Sequence, residues 1–284
     1  MAGGGVEELS NAAGVSCRLF ATDLDGTVLV EDGRGARLTP RMASALKALQ
    51  AKGVAVVLAS GRMHESIAFI AGQVGLNGPI ISYNGAMLRL PGEGGWGEPV
   101  FHQPLDAGLA SELTALAEER GIALNYFLDG RLFARKLPVW WDVYEGRTSS
   151  PMVRVENFRA FEGRSPTKLL MLDEPGKISA LYRELLPRMR GRANMLITSS
   201  EYLEFMHPDV NKGRCLEALA ARLGVGRGEI VAAGDGTNDL EMVRFAGLGI
   251  AVSNGRDALK EAADLVVGPP QEDGLARFIE EHLL

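Results

Sequence analysis

The chain has 284 residues, room for two domains at roughly 150 residues each. Its 46% hydrophobic and 23% charged residues are ordinary for a globular protein with a sizeable core. A formal charge of -6, with Lys and Arg scattered, speaks against a nucleic-acid polymer or an anionic membrane as partner, and no apolar run approaches a membrane span.

The first sixteen residues are rich in Gly and Ala and lack both a basic start and an apolar core, so 1–16 reads as a disordered tail rather than a signal peptide. Cys17 and Cys215 lie in apolar stretches outside any Cys-x-x-Cys pair. They read as buried thiols in a reducing compartment, which makes the cytoplasm the expected location.

The apolar run Cys17 to Ala21 reads as a buried strand and ends in Thr22-Asp23-Leu24-Asp25-Gly26-Thr27. Val30 to Leu38 reads as a loop. Thr39 caps a helix that Pro40 opens and Gly53 closes. Val54 to Leu58 is a strand ending in Ala59-Ser60-Gly61-Arg62, and a helix follows to Val74. Pro79 to Ser82 is a third strand, leading to Tyr83-Asn84-Gly85. Strands alternating with helices over short connections imply a doubly wound parallel sheet in an α/β fold.

Beyond residue 86 the pattern changes. Met87–Leu90 and Pro99–Gln103 look like a hairpin, and Asp106 to Arg120 like a helix. Asp129-Gly130 joins two strands across a tight turn, since Asp-Gly suits positive φ. Trp140, Trp141 and Tyr144 read as core of this region. Thr167–Asp173 and Asn194–Thr198 read as strands around a helix from Gly176, whose Arg188, Arg190 and Arg192 form a solvated end. This is an α+β unit, 87–198, inserted into a core of 17–86 and 199–284. The core pattern resumes with Asn211-Lys212-Gly213 opening a helix. Ile230–Ala233 then runs into Gly234-Asp235-Gly236-Thr237-Asn238-Asp239, and the chain closes with strands near 248–252 and 265–267 and a helix from Gly274.

Open parallel sheets bind ligands at the carboxyl ends of their strands. Asp23, Asp25, Ser60, Asp235 and Asp239 sit at such ends, with Lys212 at a helix start. Taken singly, Asp-x-Asp-Gly suits a plain turn, Ser60 a helix cap and Lys212 a solvated lysine. Their convergence on one sheet edge favours a site. Two carboxylates about 4 Å apart repel by roughly 4 kcal/mol at an effective dielectric of about 20, which a cation or a shared proton offsets. An EF-hand is disfavoured because Gly26 is the fourth residue from Asp23 and follows a strand. The four histidines show no metal spacing, and no Walker loop or Gly-x-Ser-x-Gly elbow occurs. An oxygen-liganded Mg²⁺ would balance the acids. A phosphate could then rest on Lys212, Ser60 and the backbone N–H groups after Gly61, with an Asp as nucleophile.

These motifs resemble the haloacid-dehalogenase-like (HAD) superfamily, in particular its Cof-type phosphatases with a type IIB cap. The resemblance rests on Asp23 to Thr27, Ser60-Gly61, Asn84-Gly85-Ala86, Lys212-Gly213, Gly234 to Asp239 and Asp273-Gly274. It implies a Rossmannoid HAD-like core with residues 87–198 as cap. It further implies a Mg²⁺-dependent phosphatase that acts on small phosphorylated metabolites through an aspartyl-phosphate. By the same likeness Asp23 is the nucleophile and Asp25 the acid/base. The metal falls to Asp23, the Asp25 backbone carbonyl and Asp235, with Asp239 behind them. The phosphate falls to Ser60, Gly61, Lys212 and Asn238, and Asn84 and Lys168 are candidate substrate contacts. A phosphomannomutase-type mutase and a non-catalytic phosphate-binding module are the alternative readings.

Overall fold

The computed structural model describes residues 16–32, 35–137, 139–145 and 151–284, so the expected tail lies almost wholly outside the described residues. Two compact units emerge. One comprises the chain to Arg62, Ile67–Val100 and Asn211–Leu284; the other comprises Met63–Ser66 and Phe101–Val210.

The first unit begins with β1 (Leu19–Thr22), β2 (Leu29–Asp32), β3 (Gly35–Leu38), α1 (Pro40–Ala51), β4 (Ala55–Ala59), α2 (His64–Gln73), β5 (Ile80–Ser82), β6 (Met87–Arg89), β7 (Pro91–Gly92) and β8 (Gly95–Trp96). The second unit adds β9 (Phe101–His102), α3 (Ala107–Arg120), β10 (Ala123–Leu128), β11 (Arg131–Arg135), α4 (Trp140–Glu145), β12 (Met152–Val155), β13 (Lys168–Leu172), α5 (Pro175–Met189), β14 (Asn194–Ser199) and β15 (Tyr202–Met206). The chain then completes the first unit with α6 (Lys212–Leu223), β16 (Ile230–Gly234), α7 (Leu240–Phe245), β17 (Leu248–Val252), α8 (Asp257–Ala262), β18 (Leu265–Val267) and α9 (Gly274–His282).

In the first unit the strand order is β18-β17-β16-β1-β4-β5-β6. All neighbours are parallel except β5 and β6. All four side chains of β1 are buried, as a central parallel strand covered on both faces requires. One face packs Phe20, Val56 and Val231 against Leu46, Leu49, Ile67 and Ile279. Burying each such side chain contributes about 1.5–3 kcal/mol. Thr39 caps α1 as expected, accepting from the Met42 N–H at 3.1 Å.

The register is what matters for function. Thr22 pairs with Ala233 on one side and with Leu58 on the other. Asp23, Ser60 and Asp235 are therefore the first residues past β1, β4 and β16, along one edge of the sheet.

The second unit holds a sheet ordered β12-β11-β10-β13-β15-β14, antiparallel except for the β11–β12 pair. Helices α3 and α5 cover one face. Leu109, Leu113, Ile178 and Leu185 meet Leu124, Tyr126, Leu169 and Phe205 there. Asp129 and Gly130 take φ +51° and +70°, the tight turn their sequence suggests. On the outer side Glu112 accepts from both Arg188 (2.9 Å) and Arg192 (2.6 Å), so these two arginines of the expected solvated end are exposed but ion-paired.

Several expectations are revised. Leu29–Asp32 and Gly35–Leu38 are paired antiparallel strands, β2 and β3, where the sequence suggests a loop; at four residues each, with Gly33 and Gly35 between and within them, they carry little strand signal. The contact boundaries fall at 100/101 and 210/211 rather than 86/87 and 198/199. Strand β6 pairs with β5, and residues 202–206 pair with β13 and β14. None of the α4 residues is fully buried, so Trp140, Trp141 and Tyr144 are partly exposed surface rather than core; Tyr144 tilts against Tyr202 at 5.8 Å. Cys215 is buried, whereas Cys17 is only partly so. Among the described residues no helix is long and apolar enough to cross a membrane.

Candidate active site

The turn after β1 depends on Gly26. Its φ is +79°, and a Cβ there would come 2.5 Å from Asp235 Oδ2. The bare glycine lets the Asp23 turn lie against the turn after β16. Asp23 is anchored through its own N–H, which donates to the Ala233 carbonyl at 3.0 Å. Thr27 Oγ1 stands 3.4 Å from Asp23 Oδ2 and 3.3 Å from Asp235 Oδ1, tying the two carboxylates together. From the next turn, the Asn254 side-chain amide donates to the Gly26 carbonyl at 2.8 Å.

Lys212 enters from the first turn of α6, which Asn211 caps by accepting from the Arg214 N–H. The lysine is fully buried. Its ammonium donates to Asp23 Oδ1 and to Asp239 Oδ1, each at 2.6 Å. Asp239 spends its other oxygen on the backbone N–H groups of Asp235 (3.1 Å) and Gly236 (2.9 Å). Oxygens of Asp23, Asp235 and Asp239 all lie within 4.8 Å of one another.

Three carboxylates thus crowd one ammonium, and the protonation balance reflects it. Burial pushes the Asp23 carboxyl well above its usual range; Lys212 pulls it down, and Asp239 adds to the rise. Burial likewise raises Asp235, with Asp239 contributing. Burial opposes the charge on Lys212, but Asp23 and Asp239 outweigh it and hold the ammonium above its ordinary value.

Ser60 is buried at the end of β4, its N–H donating to the Ile81 carbonyl at 2.9 Å. Gly61 follows it, pressed against the Asn84 amide: a Cβ there would meet that side chain at 3.0 Å. Tyr83, Asn84 and Gly85 all take positive φ, at +51°, +57° and +101°. This left-handed run suits Asn and Gly and brings Gly85 so near α6 that a Cβ would meet the Asn211 carbonyl at 2.3 Å. Asn84 donates its N–H to the Ser60 carbonyl at 3.0 Å, and its Oδ1 accepts from Asn238 Nδ2 at 3.0 Å. Expected as a substrate contact, Asn84 here joins the Ser60 and Asn238 turns.

Asp25 is half exposed and points its carboxylate at Arg62, a residue given no role from sequence. The signal was a basic residue two past Ser60. Lys168 lies in the second unit. It is buried, paired with Glu204 at 2.8 Å, and its ammonium sits 4.8 Å from the Phe127 ring centre.

A family model described as haloacid dehalogenase-like hydrolase matches residues 20–279. The chain belongs to that family. A putative phosphatase of Haemophilus influenzae is 29% identical over 264 residues, covering 92% of this chain and 96% of its own. A 5-amino-6-(5-phospho-D-ribitylamino)uracil phosphatase of Bacillus subtilis is also 29% identical, over 93% of this chain and 97% of its own. A haloacid dehalogenase-like hydrolase from Bacteroides thetaiotaomicron superposes with a TM-score of 0.83 at 27% identity, over 93% of this chain and 98% of that one. The doubly wound HAD-like core with an inserted α+β unit is therefore the fold of this hydrolase family.

Proposed function

We propose that this hydrolase is a Mg²⁺-dependent phosphatase of small phosphorylated metabolites in the cytoplasm, working through an aspartyl-phosphate on Asp23. The observation that carries the reading is the crowding of Asp23, Asp235 and Asp239 around the single ammonium of Lys212.

A hard divalent cation fits the donor set. The available ligands are all oxygens, and burial leaves Asp23 and Asp235 short of compensating charge. Asp23, the Asp25 backbone carbonyl and Asp235 would hold Mg²⁺, with Asp239 fixed behind them by its bonds to Lys212 and backbone. Bound there, the ion would neutralise charge on the transferring phosphoryl group.

The chain's own groups supply the rest. Ser60, the Gly61 N–H, Lys212 and Asn238 cradle the phosphate oxygens. A carboxylate oxygen of Asp23 attacks phosphorus while the bond to the leaving oxygen breaks, and Asp25 protonates that oxygen. Asp25 then takes a proton from water, which attacks phosphorus and breaks the new P–O bond to release phosphate and restore Asp23. The inserted unit takes the part of the cap.

The test is phosphate release from a panel of phosphomonoesters, with and without Mg²⁺. The ribitylaminouracil phosphate named for the Bacillus subtilis relative comes first in that panel. Turnover should require Mg²⁺ and fall by at least about 1,000-fold in Asp23→Asn, because the nucleophile is gone. Metal-independent turnover, or an active Asp23→Asn enzyme, would overturn the reading.

A further inference from the structure

We propose that Arg62 is the positioning residue for Asp25, fixing that carboxylate where it can exchange a proton with the leaving oxygen. The proposal rests on the phosphatase reading above and deepens it.

Arg62 is held at both backbone ends. Its N–H donates to Ser60 Oγ at 3.2 Å, and its carbonyl accepts from the Tyr83 N–H at 3.0 Å. The Ser60 carbonyl is engaged in turn by the Asn84 N–H. The root of the arginine is therefore part of the Ser60 turn and moves with it. Its guanidinium grips Asp25 as a fork: Nε donates to Oδ2 at 2.7 Å, and Nη2 donates to Oδ1. Among the described residues, Arg62 is the hydrogen-bond partner of that carboxylate. Asp23, by contrast, is held by Lys212, Thr27 and burial.

Solvent exposure decides what the fork is for. The Arg62 side chain is 27% exposed and that of Asp25 49%. Solvent screens a pair this exposed, and what sets it apart from an ordinary surface ion pair is its two-point geometry. A two-point fork fixes both position and plane of a carboxylate, which a lysine cannot do. A half-exposed Asp on a glycine turn would otherwise sample several rotamers, and a proton donor works only within hydrogen-bond reach of its target. Arg62 thus ties the proton-transfer group to the Ser60 turn that would hold the phosphate.

The leaving group provides the test. A simple alkyl phosphate expels a poor leaving group that needs a proton; 2,4-dinitrophenyl phosphate expels a stable anion that needs none. With the full-length Mg²⁺-loaded enzyme, Arg62→Met should lower kcat/KM about 100-fold for the alkyl ester and less than about 5-fold for the aryl ester, the range general acid catalysis supplies. Asp25→Asn should show the same selectivity. Arg62→Lys keeps the charge without the fork and should fall between; it also serves if the Met variant folds poorly. Inhibition by inorganic phosphate should stay within about twofold, because Arg62 acts through Asp25 rather than on the phosphate.

Equal losses on both esters would overturn the assignment, as would phosphate inhibition weakened in step with activity, which would make Arg62 a ligand of the substrate. If the wild-type enzyme hydrolyses neither ester nor any panel member, the phosphatase reading falls first and takes this assignment with it. An active wild type with unselective losses sinks the assignment alone.

Discussion

Each unit buries a lysine against carboxylates, and the two sites differ in charge balance. In the first unit Lys212 meets Asp23 and Asp239, with Asp235 close by; carboxylates outnumber the ammonium three to one. In the second, Lys168 pairs with Glu204 and rests on the Phe127 ring. The first set sits past strand ends; the second sits within paired strands, Lys168 opposite Phe127 and Glu204 opposite Leu170. Burial and pairing are shared, so neither marks a site. Uncompensated charge at a strand end does, because it invites a cation and then an anion.

Mutation of the two lysines gives the widest separation. Lys212→Met should reduce kcat/KM by about 100-fold or more, as expected for loss of a charged phosphate-binding group in a buried site. Lys168→Met should change kcat/KM far less while still destabilising the fold. Comparable losses of activity would erase the distinction and make Lys168 a substrate contact after all.

A stability measurement comes next in size. Removing one partner of a buried pair costs about 3–5 kcal/mol, whereas replacing both with apolar groups is often neutral. Lys168→Met alone should lower the denaturation midpoint clearly, and the Lys168→Met/Glu204→Met double variant should recover most of the loss. Failure to recover would mean that the Lys168–Glu204 pair does more than balance its own charge.

The smallest effect is in pH dependence, measured with chelator present. The folded-state carboxyl of Asp23 titrates above its unfolded value, so the folded protein binds the proton more readily. Stability from such a group is full below the unfolded value, near 4, and is lost as pH rises toward the folded one. Wild type should therefore lose stability relative to Asp23→Asn as pH climbs from about 4, and urea melts across that range would show it. Parallel curves would mean that Lys212 offsets the burial of Asp23 completely.

Much of this was legible in the chain itself. The apolar run into Asp23, Ser60 after Leu58-Ala59, and Gly234 to Asp239 each announce a strand end. The α/β alternation then brings those ends together. What sequence could not convey was orientation. Nothing in the order of residues says that Asn84 turns toward Asn238, since that depends on three successive left-handed residues. Nor does it say that the Arg62 side chain folds back to Asp25, 37 positions earlier. Strands β2 and β3 leave little trace in the sequence because they are four residues each and carry weak alternation. Glu201 to His207 looks like a connector in the sequence until its strand partners, β13 and β14, are known.

The register of β1 has one more consequence. Asp23, Ser60 and Asp235 hang from the last rungs of three adjacent, buried strands of the sheet. Groups carried on such strand ends are expected to be lost together with the sheet that carries them. Heat inactivation should therefore follow the melting of the first unit's sheet rather than precede it.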